Sequence, residues 1–212
     1  MWEAKTLINI SNVSVYNFGN AIRGARNPMN SWDKMDSGYD NNGNFILGEN
    51  DLLLASKLCR AGSDHRKFLR QILVSADIYA PLYWWKEFDT YKVGTTANST
   101  STMHRIHSKP FDINDFSRDM LDEDGIEVLE KLIEFFERAR KNFNETNDKS
   151  EWYKIIQLLP SGYNQLRTCT MSYENLVNMY NARKSHKLRE WREYCAWIET
   201  LPYAAELICF KN

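Results

Sequence analysis

Six hydroxyl side chains (Thr95, Thr96, Ser99, Thr100, Ser101 and Thr102) fall within eight consecutive residues, with Asn98 among them and Gly94 just before. His104 and His107 follow. Hydroxyls and exposed backbone N–H groups in such a loop could hold a phosphate, because each can donate to an anionic oxygen. A solvated polar loop has the same composition, and one glycine is a weak cradle. His104 and His107 would share one face of a helix. No nearby Glu or Cys has the spacing of further metal ligands, so no metal is expected. Glu87 and Asp89 would form a carboxylate pair on an extended segment, with capping or pairing to Lys86 or Lys92 as the competing role. Arg183 and His186, three apart in YNARKSHK, sit where a helical pattern is interrupted.

These residues need elements to position them. The hydroxyl loop follows an apolar run, ADIYAPLYWW, in which Pro81 suits the first turn of a helix. Upstream, LINISNVSVYNF alternates as a strand does. ENDLLLASKLCRAG predicts a helix capped by Asn50 or Asp51 and ended by Gly62. HRKFLRQ begins helical before an extended stretch. Residues 27–50, rich in Gly, Asn, Asp and Ser, read as a loop excursion. In the second half, DINDFSRDML opens on an Asp cap. Residues 124–146 place Val128, Leu129, Leu132, Ile133, Phe135 and Phe136 on one apolar face. EWYKIIQLLP and the interrupted pair of helices over 172–202 follow. The sum is a single α+β domain over residues 1–212, helix-dominated with a small, mostly antiparallel sheet.

Lys and Arg number 27 against 28 Asp and Glu, a formal net charge of −1, so no general field for nucleic acid or membrane exists. Four cysteines without CxxC spacing read as free thiols of a reducing cytoplasm. No apolar run reaches the ~18–20 residues of a membrane helix.

The segment from Leu159 to Ser185, LPSGYNQLRTCTMSYENLVNMYNARKS, followed by HKLREWREY, resembles the C-terminal signature of the flavin-dependent thymidylate synthases, the thymidylate-synthase-complementing family. The matched positions are Leu159-Pro160, Asn178, Asn181, Arg183, His186 and Glu190. Upstream, the order of strand, Ala80-Pro81, tryptophan-bearing helix and polar loop is also similar. Against the family's loop pattern RHRxxSxNExSxR, Asn98 and Ser101 match and Thr96 stands for the first serine. Tyr91, Lys92, Val93 and Met103 replace the arginines and histidine. Ser172-Tyr173-Glu174 replaces the Asn-x-Arg that opens the C-terminal helix.

The resemblance implies that family's fold and a homotetramer. It implies binding of a pyrimidine nucleotide such as dUMP, with reductive methylation as the family's reaction. FAD, NADPH and methylenetetrahydrofolate would serve that reaction. On this resemblance Arg183 is the catalytic residue that binds and polarises the base. Ser99 and Ser101 join it in holding the nucleotide, and Thr96, Asn98, Asn178 and His186 face the cofactor. Lys92, His104, Arg105 and Arg167 are the candidate substitutes for the missing flavin-gripping charges. A non-catalytic nucleotide binder on the same scaffold, or an enzyme with a changed cofactor or substrate, stays open beside this reading.

Overall fold

A computed structural model describes residues 7–210. The elements run β1 (Asn9–Tyr16), α1 (Phe18–Arg26), β2 (Gly38–Tyr39), β3 (Phe45–Ile46), α2 (Glu49–Arg60), β4 (Leu73–Pro81), α3 (Leu82–Phe88), β5 (Thr96–Ser99), α4 (Glu123–Thr146), α5 (Lys149–Leu158), β6 (Asn164–Ser172), α6 (Tyr173–Arg183), α7 (Arg189–Ile198) and α8 (Ala204–Leu207). The described residues are 50% helical with a small antiparallel sheet, as the sequence pattern predicts. The four-stranded sheet has the order β1-β4-β6-β5, and β2 and β3 form a separate antiparallel hairpin. On β4, Val74, Ala76, Ile78 and Ala80 are buried while the residues between them are partly exposed, the period of two of a strand with one covered face. None of the described helices is long and apolar enough to cross a membrane.

The chain divides into two compact units. Of the described residues, one comprises 7–9, Ile78–Thr90 and Asn98–Arg167. Its core is Ile106, Phe111, Phe116, Leu129, Phe136, Ala139, Ile155 and Tyr163, where α4 and α5 pack together. Asp122 caps α4 by accepting from the Gly125 N–H, and Asn147 ends it in the left-handed conformation at φ 55°. Val128, expected on the apolar face, is 67% exposed; the seam runs through Leu129, Phe136 and Ala139. Asp112 opens only a single 3-10 turn, Ile113–Asp115. Its capping box closes there, and the Asp115 carboxylate also takes Lys109 at 2.6 Å.

The other unit comprises Ile10–Asp77, Tyr91–Ala97 and, of the described residues, 168–210. Phe18 is its aromatic hub: it stacks on Phe45 at 5.7 Å and meets Tyr173 and Tyr203 edge-on. The 27–50 excursion is fastened rather than loose. Asp51 is buried and accepts Arg26 Nε at 2.5 Å through one oxygen. Its other oxygen accepts the N–H groups of Asp36 and Ser37 and the Ser37 hydroxyl. In return Asp36 accepts the N–H groups of Asn50 and Asp51, so the cap of α2 comes from 14 and 15 residues upstream rather than from Asn50 or Asp51. Gly48 lies so close under Asp36 that an added Cβ would sit 2.3 Å from its carboxyl group. The segment before β4 that begins helical, Lys67–Gln71, is a 3-10 helix.

Candidate functional site

Arg183 ends α6, where a cation favours the helix dipole. The helix stops because the chain turns through Lys184–Leu188: the His186 N–H donates to the Arg183 carbonyl, and Arg192 Nη1 donates to the His186 carbonyl at 2.7 Å. That turn brings the His186 ring back on Arg183, with Arg183 Nη1 3.0 Å from Nε2. The Leu188 N–H approaches the other ring nitrogen, Nδ1, at 3.2 Å. A neutral imidazole accepts at one nitrogen only, so Arg183 and Leu188 compete for it.

Two aromatic residues hold the same guanidinium. Its Nε donates to Tyr91 Oη at 2.9 Å, and its carbon lies 4.8 Å from the Trp191 ring centroid and 5.6 Å from that of Tyr91. Tyr91 and Trp191 meet edge-on at 6.0 Å, and Trp191 is fully buried. The fork is thus set at one angle before any ligand arrives, and little side-chain entropy remains to be lost on binding. Sequence reading singled out Arg183 and His186, and the structure brings them together. In the family comparison Tyr91 stands at the place of a lost arginine, and nothing in that comparison points to Trp191. The signal available was Trp191 eight positions after Arg183, one turn into the next helix.

A second feature lies at the head of α6. A groove of about 570 Å³ is lined by Arg70, Leu73, Val93, Gly94, Ser172, Glu174, Asn175 and Asn178. Ser172 caps the helix through a reciprocal box with Asn175. The Asn175 amide also donates to the Val93 carbonyl at 2.7 Å, which clasps the start of the hydroxyl loop to the helix. Gly94 makes that clasp possible: its φ is +78°, and a Cβ would lie 3.1 Å from Asn175 Oδ1. Glu174 is buried and takes Arg66 by Nε at 2.8 Å and Nη2 at 3.3 Å.

The remaining expected site residues fall as follows. Thr96 is exposed on β5 and belongs to the unit that carries Arg183, His186 and Asn178. Asn98 and Ser99, also exposed on β5, and Ser101 belong to the other unit. Ser101 Oγ accepts the His104 N–H at 2.8 Å, and Thr100 is tied by its N–H to the Leu166 carbonyl. Of the four candidate substitute cations, Lys92, His104 and Arg105 are exposed. Arg167 is engaged: it lies 4.2 Å over Trp85, donates to Asp89 at 2.7 Å and to Gln165 at 3.0 Å.

No family model matches this sequence, and no curated protein matches it either. Solved structures do. A flavin-dependent thymidylate synthase ThyX from Helicobacter pylori, complexed with FAD and dUMP, superposes with a TM-score of 0.65 at 17% identity, covering 93% of this chain and 98% of its own. The chain has the fold of that enzyme. A second structure of ThyX from the same organism, with FAD and dUMP, gives 0.65 at 16% identity over 97% of this chain and 99% of the other. The UMP/dUMP methylase PolB from Streptomyces cacaoi, bound with 5-Br dUMP, gives 0.62 at 18% identity over 96% and 95%. The ThyX-like fold expected from the Leu159–Ser185 resemblance is therefore the fold observed, and all three similar structures hold a dUMP-type nucleotide.

Proposed function

We propose that this chain binds a pyrimidine nucleotide of the dUMP kind, and that Arg183 reads the base. One observation carries the reading: the Arg183 fork is fixed by Tyr91, Trp191 and His186 in a chain whose fold is that of dUMP-binding proteins. A guanidinium held in this way donates to a pyrimidine carbonyl oxygen and withdraws charge from the ring. In the same reading Thr96, which belongs to the unit that carries Arg183, faces a second ligand. Asn178 and His186 line the side where a second ligand would lie. A cytoplasmic homotetramer belongs to the reading as well.

The catalytic extension is reductive methylation of the nucleotide, with methylenetetrahydrofolate supplying the carbon, NADPH the reducing power, and FAD carrying the hydride. The fold likeness supports it. The groove that contains Asn178 does not suit a flavin diphosphate, because its buried carboxylate, Glu174, already holds Arg66. That pair favours nucleotide binding without flavin chemistry.

The test is thermal unfolding of the purified protein with dUMP, UMP and dTMP. A nucleotide at 100 times its Kd adds about 2.7 kcal/mol to stability. Wild type is expected to show that stabilisation with dUMP, and Arg183→Ala to lose it. No shift from any of the three nucleotides would end the proposal. An Arg183→Ala protein that binds as wild type does would remove Arg183 from it.

A further inference from the structure

We propose that the groove at the head of α6 excludes a flavin diphosphate, and that Glu174 is the residue that excludes it. A diphosphate binds a helix N-terminus when unpaired N–H groups face it and the positive end of the dipole is unopposed. At the opening of α6 two such groups are taken and the dipole is opposed: the Tyr173 N–H donates to the Ile72 carbonyl. The Asn175 N–H donates to Ser172 Oγ, and Asn175 Oδ1 accepts both the N–H and the hydroxyl of Ser172. The box is closed on itself. Glu174, in the first turn, places its own carboxylate on the positive end. It does so while buried, and with two nitrogens of Arg66 turned on it, so the cation next to the groove serves an internal anion.

The lining leaves Arg70, which is exposed, as its cation. A flavin diphosphate would bring at least two negative charges to one solvated guanidinium and a fixed carboxylate. The Val93–Gly94 segment, drawn down by Asn175 Nδ2, occupies the polar surface of the helix start as well.

Equilibrium dialysis of the full-length protein against FAD tests this. Two variants accompany wild type. Glu174→Gln removes the anion and releases Arg66. Asn178→Arg adds a cation at an exposed position of the same groove without touching the pair. Wild type is expected to bind FAD too weakly to saturate, its Kd being taken from the initial slope of the binding curve. Each folded variant is expected to gain at least about tenfold in FAD affinity, the lower end of one charge-assisted hydrogen bond. Stoichiometric FAD on wild type overturns the exclusion. A folded Glu174→Gln that gains nothing overturns the role of Glu174, whatever Asn178→Arg does. If Glu174→Gln does not fold, Asn178→Arg decides: a gain supports the proposal and no gain overturns it. The dUMP shift, read in the same samples, reports on nucleotide binding separately.

Discussion

The guanidinium carbon of Arg183 sits 4.8 Å from the ring centroid of Trp191, although the two residues belong to successive helices. Trp191 is fully buried, so the face it presents is fixed by the core beneath it. Arg183 therefore inherits its orientation from packing, and Tyr91 sets the remaining freedom through one hydrogen bond to Nε.

Removing that hydrogen bond should affect binding more than folding. In Tyr91→Phe the ring remains against Arg183 and only the acceptor is lost. A net hydrogen bond contributes ~0.5–1.5 kcal/mol. On the nucleotide reading, calorimetric titration should show dUMP affinity reduced several-fold with the melting temperature nearly unchanged. Unaltered affinity would show that the Tyr91 hydroxyl does not orient the fork.

Asp51 is the anchor of the 27–50 excursion, and its loss should be felt globally. Asp51→Ala leaves Arg26 buried without its carboxylate, a change that costs ~3–5 kcal/mol. Asp36→Ala, which removes the cap of α2, should cost only ~1 kcal/mol. Urea unfolding of both variants checks the ranking, and equal costs would contradict it.

Acid should weaken the unit built on α4 through Glu137. Hydrogen bonds from Arg140, assisted by the Phe111 N–H, hold its carboxyl below the ordinary value of 4.5. A depressed carboxyl contributes stability that is complete above the unfolded value and is lost as pH falls through the folded one. Stability should thus be level near neutrality and decline below about 4.5. Glu137→Gln should be less stable at neutral pH and show a shallower acid decline, measured as urea midpoints across pH.

Thiol chemistry should separate the cysteines. Burial pushes the Cys59 and Cys195 thiols up to about 12, so almost no thiolate exists at mildly alkaline pH. Iodoacetamide followed by peptide mass spectrometry should leave both unlabelled in the native protein and label them in urea. Cys209, half-buried, should react first.

Local elements were legible in the sequence where the cause is local. The apolar period of α4, the break around Lys184–His186 and the strand running to Ala80-Pro81 are all set by neighbours a few residues away. Expectations failed where the partner is distant. Nothing near Asn50 announces that Asp36 caps α2, and nothing near Glu174 announces Arg66, 108 residues earlier. Arg183 and His186 were legible as a pair because one turn joins them. The aromatic walls were not, since Tyr91 lies 92 residues from Arg183. A tyrosine in place of an arginine looks like a loss of function in a one-dimensional comparison. In three dimensions it is the acceptor that orients another arginine.

The latch joining Arg26, Asp36, Ser37, Gly48 and Asp51 also constrains how this chain can drift. Each polar member satisfies another, and the glycine leaves the space that Asp36 occupies. Loss of Asp51 strands the buried Arg26, and a side chain at Gly48 would displace Asp36. The five positions therefore form one heritable unit in which Asp51 is the member least free to change singly. The exposed hairpin tip at 41–43, spanned by hydrogen bonds between Asp40 and Asn44, is where a grafted peptide would be carried at little cost to the fold.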